Sequence, residues 1–244
     1  MKHVKFLSTI IVATGMLFLS SCNSGDDKKV EEKSTDSSSV MSETPATAPA
    51  ISGPNSIMTI TAKVANYEKW KPVYESHDSI RQANGLHNYV VARGIDDPNM
   101  IMVALKMDDA DKAKAMAASP EMKERMKKAG ITGLASIDYL ESVMNDTTAI
   151  QQTIRLMVKH KVKDWDAWKK SFDEHKQVRV DAGLTDRVIS HTIGDNHSVT
   201  LVFAVADEAK AKEFIKSKDL KDKMAEAGVE GQPSFFFYRI AEKY

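Results

Sequence analysis

Two stretches of this chain carry the same string of side chains at the same spacing. Trp70, Tyr74, His77, Arg81 and Gly85-Leu86 are matched by Trp168, Phe172, His175, Arg179 and Gly183-Leu184, each 98 residues further on and with no gap. The offset persists outside that string: Lys63-Val64 matches Lys161-Val162, Asn66 matches Asp164, Asp109 matches Asp207, and Ala129-Gly130 matches Ala227-Gly228. A period this long, present twice, describes a duplicated domain rather than a stacked solenoid unit. One copy therefore predicts the other, and the globular part reads as an intramolecular pseudo-dimer.

Within the first copy, Met58, Ile60, Ala62 and Val64 alternate with Thr59, Thr61 and Lys63, the period of a strand with one drier face. Asn66 offers a helix cap, and a helical pattern runs to Asn84 before Gly85 stops it. Strands follow over 86–93 and 100–107, joined by a Gly-Ile-Asp-Asp-Pro-Asn turn. Asp109 caps a second helix that restarts at Ser119-Pro120 and ends at Gly130, and 137–143 reads as the last strand. The order is βαββαβ, a ferredoxin-like split unit, and the fold class is α+β. The expected units span 56–143 and 153–241, separated by a polar linker at 144–152.

The segment before the repeat has a different character. A basic start, Met1-Lys2-His3-Val4-Lys5, leads into an apolar run over 6–20 that suits an export signal and is short for a membrane span. It ends Leu19-Ser20-Ser21-Cys22, which resembles the lipobox of bacterial lipoproteins. That resemblance implies a signal peptide over 1–21, acylation of Cys22 and attachment to the membrane through the lipid. Residues 22–55 have no aromatic side chain and too little apolar area to offset chain entropy, so they read as a flexible tether. No aspartate stands immediately after Cys22, which by resemblance to bacterial sorting rules points to the outer membrane, on its periplasmic or surface side.

Composition removes several function classes. Lys plus Arg equals Asp plus Glu at 34 each, so no overall field attracts nucleic acid. The single cysteine excludes an internal disulfide framework or a thiolate metal cluster. The histidines lack metal-ligand spacing, and neither a phosphate-cradling glycine loop nor a Gly-x-Ser-x-Gly elbow is present. The expectation is no metal and no cofactor.

With both copies in view, the segment 63–86, the Asp-Asp-Pro-Asn turn at 96–99 and the Ser-Pro-Glu-Met…Ala-Gly-Ile ending of the second helix resemble the antibiotic-biosynthesis-monooxygenase-like branch of the dimeric α/β-barrel superfamily. The resemblance covers about 56–241. It implies that two ferredoxin-like sheets form a barrel with helices outside, and that a ligand cavity lies between sheet and helices or within the barrel. It also implies a range of activities, from cofactor-independent oxidation of quinols and polyketides to haem degradation. Haem-degrading relatives place an axial histidine on a helix together with an asparagine and a tryptophan; the second helix of each copy here has no histidine.

Two sets of side chains are candidates for chemistry. On a helical wheel Tyr67, Trp70, Tyr74, His77 and Arg81 share one arc. His77 with Arg81, and His175 with Arg179, could orient a carboxylate or enolate oxygen as binding pairs, or could satisfy backbone groups beneath the helix end. The structural alternative is favoured, because this face points away from the barrel interior. On the opposite sheet face, strand alternation puts Thr59, Thr61, Met100, Met102 and Ala104 beside Arg155, Met157, Lys159, Thr200 and Val202. There the copies differ: Arg155, Lys159, Arg187 and His191 replace Ile57, Thr61, Tyr89 and Arg93. A basic, partly apolar lumen would hold a small amphipathic acid, unless these cations reach solvent at strand ends. The leading expectation is a lipid-anchored envelope protein that binds a small, partly apolar ligand or serves as an accessory module. The alternatives are a cofactor-independent monooxygenase that uses the lumen to bind a quinol-like or polyketide-like substrate, and a purely structural partner-binding protein.

Overall fold

The computed structural model describes residues 56–244. The signal, the lipobox cysteine and the tether read from the sequence lie outside the described residues.

Strand β1 (Ser56–Val64) delivers the chain to Asn66, whose side chain accepts from the Lys69 amide at 3.0 Å and starts helix α1 (Tyr67–Ser76). The cap supplies an acceptor to one of the amides that a helix start leaves free. Helix α2 (Asp78–Ala83) follows, then strands β2 (Leu86–Gly94) and β3 (Met100–Met107). Asp109 caps α3 (Ala110–Ala118); Ser119, followed by Pro120, caps α4 (Pro120–Lys128); and β4 (Ile131–Asn145) completes the unit. The second unit repeats the order with β5 (Ile154–Val162), α5 (Trp165–Glu174), α6 (Lys176–Asp181), β6 (Leu184–Thr192), β7 (Asp195–Val205), α7 (Glu208–Phe214), α8 (Lys218–Glu226) and β8 (Val229–Lys243).

The eight strands close into an antiparallel barrel in the order β1-β3-β2-β8-β5-β7-β6-β4. Each unit contributes four consecutive strands, and the seams are the β2–β8 and β4–β6 pairs. Two fused ferredoxin-like units of an α+β fold thus share one hydrogen-bonded wall, which leaves neither sheet with an open edge. Alternation sorts the side chains. Leu156, Val158 and Val162 of β5 enter the core beneath the second unit's helices, and Met157 enters a separate core inside the barrel with Ile57, Ala92, Met102, Ala104 and Tyr238. An equivalent outer core, including Met58, Val64, Trp70 and Val103, lies under the first unit's helices.

Two local features depart from the sequence expectation. The helical run expected to reach Asn84 breaks at His77 (φ −96°, ψ 13°), and the second unit breaks at His175. An arginine accommodates each break: Arg81 Nη1 donates to the Tyr74 carbonyl at 2.7 Å, and Arg179 Nη1 to the Phe172 carbonyl at 2.5 Å. These side chains supply donors to carbonyls that an unbroken helix would have paired internally. The last strands are also longer than expected, starting at Ile131 and Val229. Pairing continues across a register shift between Thr61 and Lys63, opposite Gly133 at φ +76°, a backbone conformation that glycine adopts without a Cβ clash.

Candidate functional site

Among the described residues, cavities lie under each helix layer and inside the barrel. One of about 220 Å³ lies between the helices and sheet of the second unit, lined by Val158, His160, Trp168, Phe172, Leu201 and Phe203 among others. Its counterpart in the first unit, around Trp70, Tyr74 and Met126, has only about 90 Å³. The third, about 290 Å³, occupies the lumen.

Among the side-chain differences between the helix-layer cavities, three open space in the second unit, while others such as Val103 against Leu201 and Leu105 against Phe203 fill it. At positions 98 residues apart, Ile60, Ile80 and Ile131 line the smaller cavity, and Val158, Val178 and Val229 line the larger. Each pair differs by one methylene, and close-packed interiors register changes of that size at the buried Val158, less so at Val178, which is 41% exposed. Both units carry an aromatic wall: Trp168 stacks on Phe172 at 5.2 Å between ring centroids where Trp70 stacks on Tyr74 at 4.9 Å, and Trp165 tilts onto Trp168 at 5.2 Å where Tyr67 tilts onto Trp70 at 5.8 Å.

His160 sets this cavity apart chemically. It belongs to the outward row of β5, where the first unit has Ala62, and its ring lies 5.4 Å from that of Trp168. The residue is 7% exposed, and neither ring nitrogen has a hydrogen-bond partner among the described residues. Burial pushes its pKa down to about 4, because an apolar setting disfavours imidazolium, so the ring is neutral near pH 7. A neutral imidazole has one N–H to donate and one lone pair to accept, which suits a hydroxyl or carbonyl on an otherwise apolar guest. His160 was missed in the sequence because it stands in an apolar strand pattern; the signal was the replacement of Ala62 by a polar residue at the same register.

The residues singled out in the sequence fall into three groups. Arg81 and Arg179 sit under the helices and are occupied. Arg179 makes a two-pronged pair with Asp186 at 2.9 and 2.8 Å and stacks 3.6 Å from the Phe172 ring centroid. Arg81 reaches Asn88 Oδ1 at 3.0 Å and Asp78 Oδ1 at 3.4 Å and lies 3.9 Å from the Tyr74 centroid. His77 and His175 line the two helix-layer cavities at the helix breaks. Arg155 and Arg187 line the lumen cavity at 6% and 7% exposure, so they are buried rather than reaching solvent.

Lys159 and His191 need correction as lining residues of that lumen cavity. Lys159 Nζ is held by Asp138 Oδ2 at 2.5 Å, and Asp138 also accepts from Thr59 Oγ1 at 3.3 Å. Because β4 and β5 are not neighbours in the barrel, this ion pair crosses the interior. Lys159 is thereby engaged by protein rather than exposed to a guest. His191 faces outward: its ring stands edge-on to Trp165 at 5.2 Å, and its Nδ1 lies 3.0 Å from the Thr192 carbonyl. The reason is a register shift between Asp186 and Val188. It puts Arg187 and Val188 together on the lumen wall and inverts the alternation beyond them, so Ser190 follows inward and His191 outward.

The class these features define is a closed antiparallel barrel of two ferredoxin-like units with a ligand-sized cavity under one helix layer. No family model matches the chain, and no curated protein is detectably similar to it in sequence. Among solved structures, an anthrone oxidase-like protein is similar over 79% of this chain and 94% of its own, with a TM-score of 0.56 at 13% identity. A candidate monooxygenase from Lactobacillus acidophilus covers 76% of this chain and 94% of its own (TM-score 0.48, 14% identity). A ferredoxin-fold protein from Listeria monocytogenes, related to antibiotic biosynthesis monooxygenases, covers 78% and 97% (TM-score 0.41, 6% identity). The likeness at these identities is one of fold.

Proposed function

We propose that the protein binds a small, mostly apolar aromatic molecule carrying a hydroxyl or carbonyl group, in the helix-layer cavity of the second unit. The observation that carries this is His160, a buried imidazole without a partner among the described residues, beside an apolar cavity of about 220 Å³. A buried polar group left unpaired costs about 1–3 kcal/mol, which a guest that bonds to it recovers on binding. The first unit, with Ala62 and three isoleucines in the equivalent places, serves as scaffold. The test is titration of the full chain with anthrone and simple quinols, followed by tryptophan fluorescence and thermal shift. Binding is expected in the native protein and lost at least tenfold in the triple variant Val158→Ile, Val178→Ile, Val229→Ile. Undiminished binding in the triple variant would remove this site.

The second reading makes the guest a substrate: His160 takes a proton from a phenol or quinol, and the resulting anion reduces oxygen without a cofactor. The neutral state of His160 favours this role. Its low basicity works against it, since general bases are most effective with a pKa near the working pH. The binding reading is therefore preferred. Oxygen uptake with the same panel, abolished in His160→Ala, would reverse that preference.

The Leu19-Ser20-Ser21-Cys22 sequence supports placing this module on a lipid anchor at the outer membrane, with 22–55 as its tether. Radiolabelled palmitate should enter the native chain and not Cys22→Ala. Label retained by the variant would remove the anchor.

A further inference from the structure

The barrel interior carries a second chemistry that the helix-layer cavity does not use. The lumen cavity is lined by the cationic side chains of Arg155, Arg187 and Lys243 and, among the described residues, by one carboxylate side chain, that of Asp146. Asp146 is already committed. Its Oδ2 accepts from Arg187 Nη1 at 2.9 Å, while Arg187 Nη2 donates to the Thr148 carbonyl at 2.6 Å. Burial works to raise the Asp146 pKa, but hydrogen bonds from Thr148 and the Arg187 charge outweigh it and hold the carboxyl below its usual range. The Asp146–Arg187 pair is therefore self-compensated.

Arg155 is not. Only its Nη1 is used, donating to the Gln152 and Ile154 carbonyls at 2.7 and 2.9 Å. Nε and Nη2 have no protein acceptor, and no carboxylate lies within ion-pair reach among the described residues. Burial, and secondarily the neighbouring Arg187 charge, make Arg155 easier to deprotonate than an ordinary arginine, with nearby Tyr238 acting the other way. Arginine still keeps its proton in proteins, so a charge 6% exposed faces the cavity uncompensated. A buried cation without a counter-ion is costly, and an anion that pairs with it removes the cost.

The remaining walls select the body of that anion. Opposite Arg155 and Arg187 the first unit places Ile57 and Tyr89, and Met102, Ala104, Leu140 and Met157 supply apolar wall between the hydroxyls of Ser142, Ser190 and Thr200. On the far side the cavity is bounded by Thr59, which donates to Asp138 of the cross-barrel pair with Lys159. The volume of about 290 Å³ suits a small molecule. The free Nε–Nη2 edge matches the two oxygens of a carboxylate side by side. A phosphate dianion would bring a second charge into a chamber in which Arg187 is already paired with Asp146.

We infer that the barrel lumen is a binding site for a small monocarboxylic acid with an apolar body, its carboxylate on Arg155 and its body against the first unit's wall. This site is independent of the helix-layer cavity.

The experiment uses the full chain with methionines labelled at the ¹³C-methyl group, titrated with hexanoate and, as a neutral match, hexanamide. Hexanoate should shift the methyl resonances of Met102 and Met157 and leave Met224, in the helix-layer cavity, in place. Hexanamide should bind at least tenfold more weakly, and Arg155→Met should weaken hexanoate at least tenfold while leaving anthrone-dependent tryptophan quenching unchanged. Unmoved Met102 and Met157 resonances, equal binding of acid and amide, or full hexanoate affinity in a folded Arg155→Met protein would each overturn the proposal. Should that variant fail to fold, the methyl shifts and the acid–amide comparison in the native chain decide alone. Loss of anthrone binding with hexanoate binding intact would reject the helix-layer site and leave the lumen site standing.

Discussion

The two helix layers have the same elements, the same break and the same arginine beneath it, yet one encloses about 90 Å³ and the other about 220 Å³. Among the differences that accompany that gap are valines at 158, 178 and 229 where the first unit has isoleucines, and His160 where it has Ala62. The lesson is that a scaffold present twice frees one copy to loosen its core. Helix caps, strand pairing and the barrel seams hold both units in shape, so the second can carry both missing methylenes and an unpaired buried imidazole. The lumen wall repeats the pattern, with Arg155 and Arg187 on one side where Ile57 and Tyr89 stand on the other.

The arginines beneath the helix breaks give the largest effect. Arg179→Ala should lower stability by about 3–5 kcal/mol, because it leaves Asp186 buried without its two-pronged partner and exposes the Phe172 carbonyl. Arg81→Ala should cost about 1–3 kcal/mol, since the groups left behind are mostly neutral. Urea unfolding of the two variants measures the difference, and equal losses would show the breaks to be energetically alike.

Acid sharpens the contrast next. The folded-state pKa of His160 is pushed below its unfolded value, so the unfolded chain takes up the proton first as pH falls. Stability present above about pH 6.5 should fall away as the pH approaches 4, by at most about 3 kcal/mol for a shift of this size. His160→Ala, which installs the first unit's residue, should flatten that part of the pH profile. An unchanged profile in urea unfolding across this range would show that His160 finds a protonatable environment when folded.

Filling the cavity has a smaller effect on stability. The Val158→Ile, Val178→Ile, Val229→Ile protein should be more stable than the native chain by about 1–2 kcal/mol, the reverse of the usual loss on trimming isoleucine to valine. A lower melting temperature would mean that the cavity walls cannot accept the added methylenes without strain. Last is the ion pair across the lumen. Lys159→Met should cost about 1 kcal/mol, because both partners are about a quarter exposed and partly screened. A double-mutant cycle with Asp138→Asn isolates the coupling.

Much of this was legible before any coordinates. The repeat at an offset of 98 implies two copies of one fold, because local signals recur in step: caps at Asn66 and Asp164, glycine stops at Gly85 and Gly183, and alternation in each first strand. The arginines of the shared string read as structural for a reason the sequence also contained, their place on the helix arc that faces the sheet. Local rules suffice for such features because they act over three or four residues.

What failed were inferences that needed partners from distant segments. Strand alternation put His191 on the same face as Arg187, but the register shift at Asp186–Val188 turned it to the helix side. Nothing in the spacing of Lys159 announced Asp138, since the two strands are not even neighbours and meet only because the barrel closes. The sequence by itself therefore determined the elements, their order and their doubling, all of which rest on short-range geometry. Closure into a barrel decided the rest. Among the described residues it left Arg155 without a carboxylate in reach, and helix packing against the outer sheet left His160 without a partner; both are long-range packing outcomes that no local pattern encodes.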